Sequence, residues 1–295
     1  MLINTLIQKI NADKAKIQGI SASVLRLDRI HPVVSGNKIF KLKHYINAAT
    51  HQKKQLVTFG GPYSNHLVAT AYAGQQYGIR TTGYVRGERP PALSVSLQDC
   101  IAFGMDLKFV ERDQYKQLQE ELIQKENKNA VVVPYGGYGR LGAMGAKEIL
   151  SFDDVGKYDI IMASCGSGTM AAGLLSIIGP HQKLILVSAV KNNFSIYEEI
   201  KALLIPEEYA DKNMEIHHNY HFGGFAKKNS TLLNYMNDFY RETGIPTDFV
   251  YTGKLMFAFN EMLNKEYFPA GSNILLVHSG GLQGNRSLAT NELIF

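Results

Sequence analysis

Cysteine is scarce in this sequence: Cys100 and Cys165 stand far apart, and neither belongs to a CxxC pair. A disulfide scaffold and a cysteine zinc site are therefore not expected, and a reducing compartment fits. No segment approaches the roughly 20 apolar residues of a membrane span. The opening MLINTLIQKINADKAK has no apolar core long enough for a secretory signal. A cytoplasmic protein with no membrane partner is the expectation. Basic residues outnumber acidic ones, 31 to 26, for a net charge of +5, but form no block. That disfavours a nucleic-acid partner and leaves room for an anionic small ligand. Internal repeats, low-complexity tracts and long linkers are absent too. What is present is a 295-residue chain with enough apolar material for one large or two ordinary domains.

From residue 55 onward short apolar runs alternate with helical stretches. QLVTF, TTGYV, DLKFV and AVVVP are separated by an amphipathic SNHLVATAYAGQQYG, a helical SLQDCIAFG and a charged helix over 112–126. The glycine-rich YGGYGRLGAMGA interrupts the pattern. It restarts at YDIIMA and continues through KLILVSAV, EIHHNYHF, DFVYT and NILLVH. Such alternation predicts α/β architecture: two lobes meeting near residue 150, each a largely parallel sheet covered by helices. Ligands of parallel sheets bind outside the carboxyl ends of the strands, so the strand-to-helix turns are the places to search.

Three turns and one helix start carry candidate chemistry. In SGNKIFKLKHYINAA, stepping about 100° per residue puts Leu42, Tyr45, Ile46 and Ala49 on one stripe, with Lys38 inside it and Lys41 at its edge. Lysines there usually run their stems over apolar surface and keep the ammonium wet. A lysine denied water instead becomes a nucleophilic amine. The helix alone leaves both readings open. In IIMASCGSGTMAAGLL, an apolar strand runs into Gly166, Ser167, Gly168 and Thr169. Close backbone approach, free N–H groups and two hydroxyls suit an anion; a capped tight turn is the plainer alternative. Gly166, Gly168 and Ala171 also match G-x-G-x-x-A, which keeps an NAD(P)-dependent Rossmann oxidoreductase in view. The acid that motif needs about 20 residues later is missing from LVSAVKNN. In FGGPYSNHLVAT, Ser64 and Asn65 suit a helix cap, or a carboxylate-sized anion site. In ILLVHSGGLQG, small residues after His278 leave room for something flat. A metal at His217, His218 and His221 is a minority reading, since neighbouring strand residues face opposite ways.

Together, the lysine after Gly-Asn, the GG-x-x-SNH turn, the glycine loop of the second lobe and the late HSGG resemble one family. These are the pyridoxal-phosphate enzymes of the tryptophan-synthase β fold (fold type II). The likeness is strongest to the branch of 1-aminocyclopropane-1-carboxylate deaminase and D-cysteine desulfhydrase, in order over roughly residues 22 to 285. The resemblance implies pyridoxal 5'-phosphate as cofactor, with Lys38 as its Schiff-base lysine and Lys41 a second lysine near its phosphate. Gly166, Ser167, Gly168 and Thr169 match the phosphate cradle, and Asn65 the partner of the ring hydroxyl. Ser64, with Asn65 and His66, falls at the substrate carboxylate, and Ser279 falls where a hydroxyl meets the pyridine nitrogen. Tyr251 is a candidate for proton transfer or substrate positioning, alongside a plain packing role.

Departures within the branch shape the expected activity. The deaminases follow the tyrosine with a glutamate on the pyridine nitrogen and have HLGG later; here the stretches are VYTGK and HSGG. A hydroxyl leaves the pyridine neutral and makes the ring a weaker electron sink. Loss of a good β-leaving group is then favoured over opening of a cyclopropane. Phe225 stands where both relatives have a tyrosine, and Tyr138 and Gly139 where desulfhydrases have Ser-Asn. The resemblance thus implies a lyase on a small amino acid, D-cysteine first. Its alternatives are the cyclopropane amino acid, another D- or β-substituted amino acid, or a non-catalytic binding protein. It also implies a homodimer, a smaller lobe over 42–150 on the substrate-carboxylate side, and a larger lobe of 1–41 plus 151–295.

Overall fold

Short apolar runs such as QLVTF, AVVV, IIMAS and ILLV, most of them stopped by glycine, proline or a polar residue, set the central strands of this chain. The computed structural model describes residues 6–11, 15, 17–124, 129–151 and 155–295. The strands are β1 (Ile7–Ile10), β2 (Ser21–Arg26), β3 (Gln55–Gly60), β4 (Thr81–Arg86) and β5 (Met105–Val110). They continue with β6 (Ala130–Val133), β7 (Ile160–Cys165), β8 (Lys183–Ser188), β9 (Asn213–His217) and β10 (Asn273–His278). Helices are α1 (Lys38–Gln52), α2 (Asn65–Tyr77), α3 (Val95–Ala102), α4 (Gln114–Gln124), α5 (Arg140–Ala146), α6 (Thr169–Ile177), α7 (Ile196–Lys201), α8 (Ser230–Thr243) and α9 (Thr252–Asn264).

Two sheets result, ordered β1-β2-β10-β7-β8-β9 and β5-β4-β3-β6. Among the described strands every pairing is parallel except β1 with β2. The central strands of the larger sheet are covered on both faces, which is why β7 reads as an unbroken buried run. Ile161, Ala163, Leu184, Leu186, Leu275 and Val277 pack on one side with α6. Their neighbours Ile160, Met162, Ile185, Val187, Ile274 and Leu276 pack on the other with α9. In the smaller sheet Leu56 meets α1 and α2, while Phe59 stacks on Tyr84 and takes the edge of Tyr115 from α4. Helix α1 is shared: Phe40 joins the larger core, and Leu42, Tyr45, Ile46 and Ala49 join the smaller. No described helix is long and apolar enough to cross a membrane.

Three local expectations need correction. DFVYT, expected as a strand, is a turn. Its apolar Phe249 and Val250 pack against α8 without pairing, because Asp248 uses its carboxylate to cap α9. EIHHNYHF pairs only as far as His217, beyond which the chain enters left-handed turns at Phe222, Gly223 and Gly224. Finally, β1 and β2 had no counterpart in the expected pattern.

Candidate active site

The carboxyl ends of β3, β4, β7 and β10 face one another across a cavity of about 860 Å³, and the start of α1 lies at its side. Lys38 opens into that cavity, together with Lys41, Asn65, the Gly166–Thr169 loop, Phe225, Tyr251 and Ser279. Ser64 and His66 do not line it. Ser64 caps α2, its Oγ accepting from Leu67 N at 3.3 Å. His66 is buried, its ring Nε2 2.7 Å from Thr58 Oγ1. Because the Thr58 hydroxyl donates to Val133 O, His66 must donate from Nε2.

The two lysines exchange the burial that the helical wheel suggests. Lys41 is the more enclosed, 5% exposed, with Nζ donating to Gly136 O at 3.2 Å. Lys38 is half-buried and donates to Asn37 Oδ1 at 2.8 Å. The difference arises because Lys41 runs beneath Gly137, whose missing side chain makes the space, while Lys38 faces the gap between the sheets. Desolvation lowers the Lys38 amine from 10.5 to about 8, partly opposed by the Asp248 carboxylate. Lys41 is pushed well down by burial and by Lys38, and His66 by burial and both lysines.

That shift has a thermodynamic consequence for the cofactor-free protein. A lysine whose folded-state value lies below its unfolded one binds fewer protons when folded between about 8 and 10.5, so stability rises with pH across that window. The Lys38→Met protein should therefore be the more stable of the two at pH 7, by roughly 1–3 kcal/mol. The advantage should fade by pH 10.5. Urea titrations at both pH values read this directly.

The glycine loop is shaped as an anion cradle. Gly168, with φ +75°, leads into α6, whose first N–H groups have no carbonyl to meet within the helix. A Cβ on Gly166 would come within 2.9 Å of the Tyr251 hydroxyl, so the absence of a side chain is what lets that ring lie over the loop. Ser167 and Thr169 hydroxyls stand 3.3 Å apart. Ser164 Oγ and Asn65 Oδ1 are buried without a hydrogen-bond partner, two groups a ligand could satisfy. Across the seam, Asn65 Nδ2 donates to Gly281 O at 3.1 Å and ties α2 to the turn after β10. His278 shapes that turn, accepting from Gly280 N at Nδ1 and donating from Nε2 to Pro246 O.

Sequence reasoning missed Asp248. It is 1% exposed, and its carboxylate accepts from the N–H groups of Val250, Tyr251 and Thr252 and from the Thr252 hydroxyl. Thr252 in turn accepts from Asp248 N at 2.7 Å. Residue 252 is thus spent on the helix start, and Tyr251 is held in place by it. The only signal in the sequence was the Asp-to-Thr spacing of four, which resembles any capped helix. Lys254 was missed as well. Fully buried on α9, it donates to Gly224 O at 2.8 Å and pins the left-handed loop that carries Phe225, whose ring centroid lies 5.9 Å from that of Tyr251.

Known proteins share this fold. The crystal structure of an ACC deaminase homologue superposes with a TM-score of 0.77 at 24% identity, over 97% of this chain and 92% of that one. A putative 1-aminocyclopropane-1-carboxylate deaminase of Thermotoga maritima is 29% identical over 287 residues, covering 90% of each chain. The bifunctional D-cysteine desulfhydrase/1-aminocyclopropane-1-carboxylate deaminase of Arabidopsis thaliana, described as mitochondrial, is 29% identical over 280 residues, 85% of this chain and 70% of that one. The match to the pyridoxal-phosphate dependent enzymes spans residues 4–280, nearly the entire polypeptide, and the chain belongs to that family.

Proposed function

We propose that this pyridoxal-phosphate dependent enzyme is a lyase that eliminates a β-substituent from a small amino acid, with D-cysteine as reference substrate. The observation that carries the reading is that the Lys38 amine and the Gly166–Thr169 cradle open into one cavity. The residues fit the cofactor: a glycine loop at a helix start, a second enclosed lysine in Lys41, and the orphaned oxygens of Ser164 and Asn65. We assign the phosphate to Gly166, Ser167, Gly168 and Thr169 with Lys41 nearby, the ring hydroxyl to Asn65, and the pyridine nitrogen to Ser279. When bound, pyridoxal phosphate supplies a conjugated system that stabilises negative charge at the substrate Cα.

Lys38 Nζ takes the Cα proton, and its value near 8 leaves part of it neutral and basic at neutral pH. The β-substituent departs with its electron pair, and the released enamine reacts with water to give a 2-oxo acid and ammonia. The α-carboxylate is assigned to the start of α2, where Asn65 lines the cavity while Ser64 and His66 hold the turn through Leu67 N and Thr58. Tyr251 covers the loop and keeps water from the reacting carbon. Elimination is favoured over ring opening because Phe225 has no proton to give and Thr252 is committed to Asp248. The lobes, 42–150 and 1–41 with 151–295, close on the substrate across the Asn65–Gly281 bond. We place the enzyme in the cytoplasm, which suits two free buried cysteines, and as a homodimer on the family resemblance.

The purified protein should be yellow, and borohydride should fix the pyridoxyl group on Lys38. Against a panel of D- and L-amino acids, D-cysteine should yield sulfide, pyruvate and ammonia in equal amounts. A yellow protein that forms no 2-oxo acid from any member of the panel would falsify the lyase reading.

A further inference from the structure

On the smaller sheet's side, the cavity is walled by three cations, of which only Lys116 is answered by an acid, Glu120 at 3.8 Å. Arg86 ends β4, Arg112 and Lys116 flank the start of α4, and all three line the same cavity as Lys38 and Lys41. Glu199 is the single carboxylate among the described lining residues, and it already accepts from Ser195 Oγ. Among the described residues neither Arg86 nor Arg112 has an ion pair or a side-chain hydrogen bond. Polar groups on the same wall are also unspent. Tyr115 is 7% exposed with no partner for its hydroxyl, and Gln119 Oε1, one turn along α4, is buried without one. Arg86 lies within electrostatic range of the Tyr115 and Tyr135 hydroxyls, and Tyr135 within range of Tyr251.

The cofactor phosphate and an ordinary α-carboxylate are accounted for by the glycine loop, Lys41 and the start of α2. Two guanidinium groups are left over. Their planar forks match the oxygens of a carboxylate, phosphate or sulfonate two at a time, as a lysine cannot. A cleft of one sign with few counter-charges also concentrates anions.

We propose that Arg86 and Arg112 form a second anion subsite, and that the preferred substrates are amino acids whose β-substituent carries an acid group. This rests on the lyase reading above. With O-phosphoserine, Lys38 Nζ takes the Cα proton, the Cβ–O bond breaks and phosphate leaves with the electron pair. Water converts the enamine to pyruvate and ammonia, so one O-phosphoserine and one water give pyruvate, ammonia and phosphate.

The test compares kcat/KM of the holoenzyme on O-phosphoserine and on β-chloroalanine, both enantiomers of each, in the natural protein and in Arg86→Gln, Arg112→Gln and Arg86→Lys. The ratio of the phosphorylated to the chlorinated substrate should fall tenfold or more in each glutamine variant and recover in part in Arg86→Lys. A smaller fall in both glutamine variants overturns the subsite and leaves the lyase reading intact. If neither compound is turned over, D-cysteine turnover decides whether the lyase reading stands, and the subsite is judged by calorimetry on cofactor-loaded Lys38→Ala protein. There O-phosphoserine should bind at least tenfold tighter than serine, an advantage that Arg86→Gln removes; equal affinities overturn the proposal.

Discussion

Lys38→Ala should abolish elimination, lowering kcat by about 10³-fold or more. No neighbour can substitute. Lys41 lies one turn further along α1 but is enclosed, its amine engaged with the Gly136 carbonyl. Lys254, the other amine lowered to about 8, is fully buried and turned to Gly224. The variant should still bind pyridoxal phosphate through the glycine loop, now exchangeably, so that dialysis strips the colour and borohydride leaves no label on the chain. Retention of more than about a tenth of the natural kcat would move the proton transfer to another group.

A comparably large effect, on stability, is expected of Gly36→Ala. Gly36 has φ +73°, and a Cβ there would stand 2.0 Å from Ser279 O. From the other side, a Cβ on Gly280, φ +74°, would reach the Gly36 Cα at 2.6 Å. Two backbones meet here with no room for a methyl group, and the Asn37 N–H donates to Ser279 O across the contact. Left-handed strain and overpacking together should cost about 3–5 kcal/mol. Against a total of roughly 5–15 kcal/mol, that is enough to shift the denaturant midpoint strongly. Gly78→Ala supplies the comparison: φ is +65° there too, but nothing lies within 4 Å, so only the backbone term of about 1 kcal/mol applies. Equal losses in the two variants would show that the close approach contributes nothing. Since the contact joins the start of α1 to the turn after β10, any Gly36→Ala protein that folds should also misplace Lys38 relative to Ser279.

The parts of the molecule that could be read in advance are those where local chemistry and tertiary role agree. Strands β3 to β8 and β10 form as expected, most plainly β7, β8 and β10, whose apolar runs are what burial on both faces demands. The glycine loop was visible for the same reason: Gly166 and Gly168 are required by what packs on them. DFVYT misled because apolar residues in a turn look like a strand when the cluster they enter lies on another element. Strands β1 and β2, with sequences IQKI and SASVLR, are too polar to stand out, and only pairing with one another and with β10 makes them strands. Asp248 escaped notice because a capping carboxylate and one whose charge also reaches a lysine in the cavity have the same sequence. Arg86 and Arg112 look like any solvated charges until the fold turns them towards one cavity.

The position of β10 has a further consequence, for how the protein is made. The smaller sheet uses one unbroken stretch of chain, from β3 to β6, and is complete once residue 133 has left the ribosome. The larger sheet is not, because β10 lies between β2 and β7 while being the last strand synthesised. Until residue 278 emerges, the β1–β2 hairpin and the β7–β8–β9 group each present a bare hydrogen-bonding edge to solvent. Nascent chains should therefore spend about half of translation with the smaller sheet finished and the larger one open to chaperones, and truncations that remove β10 should be found in aggregates.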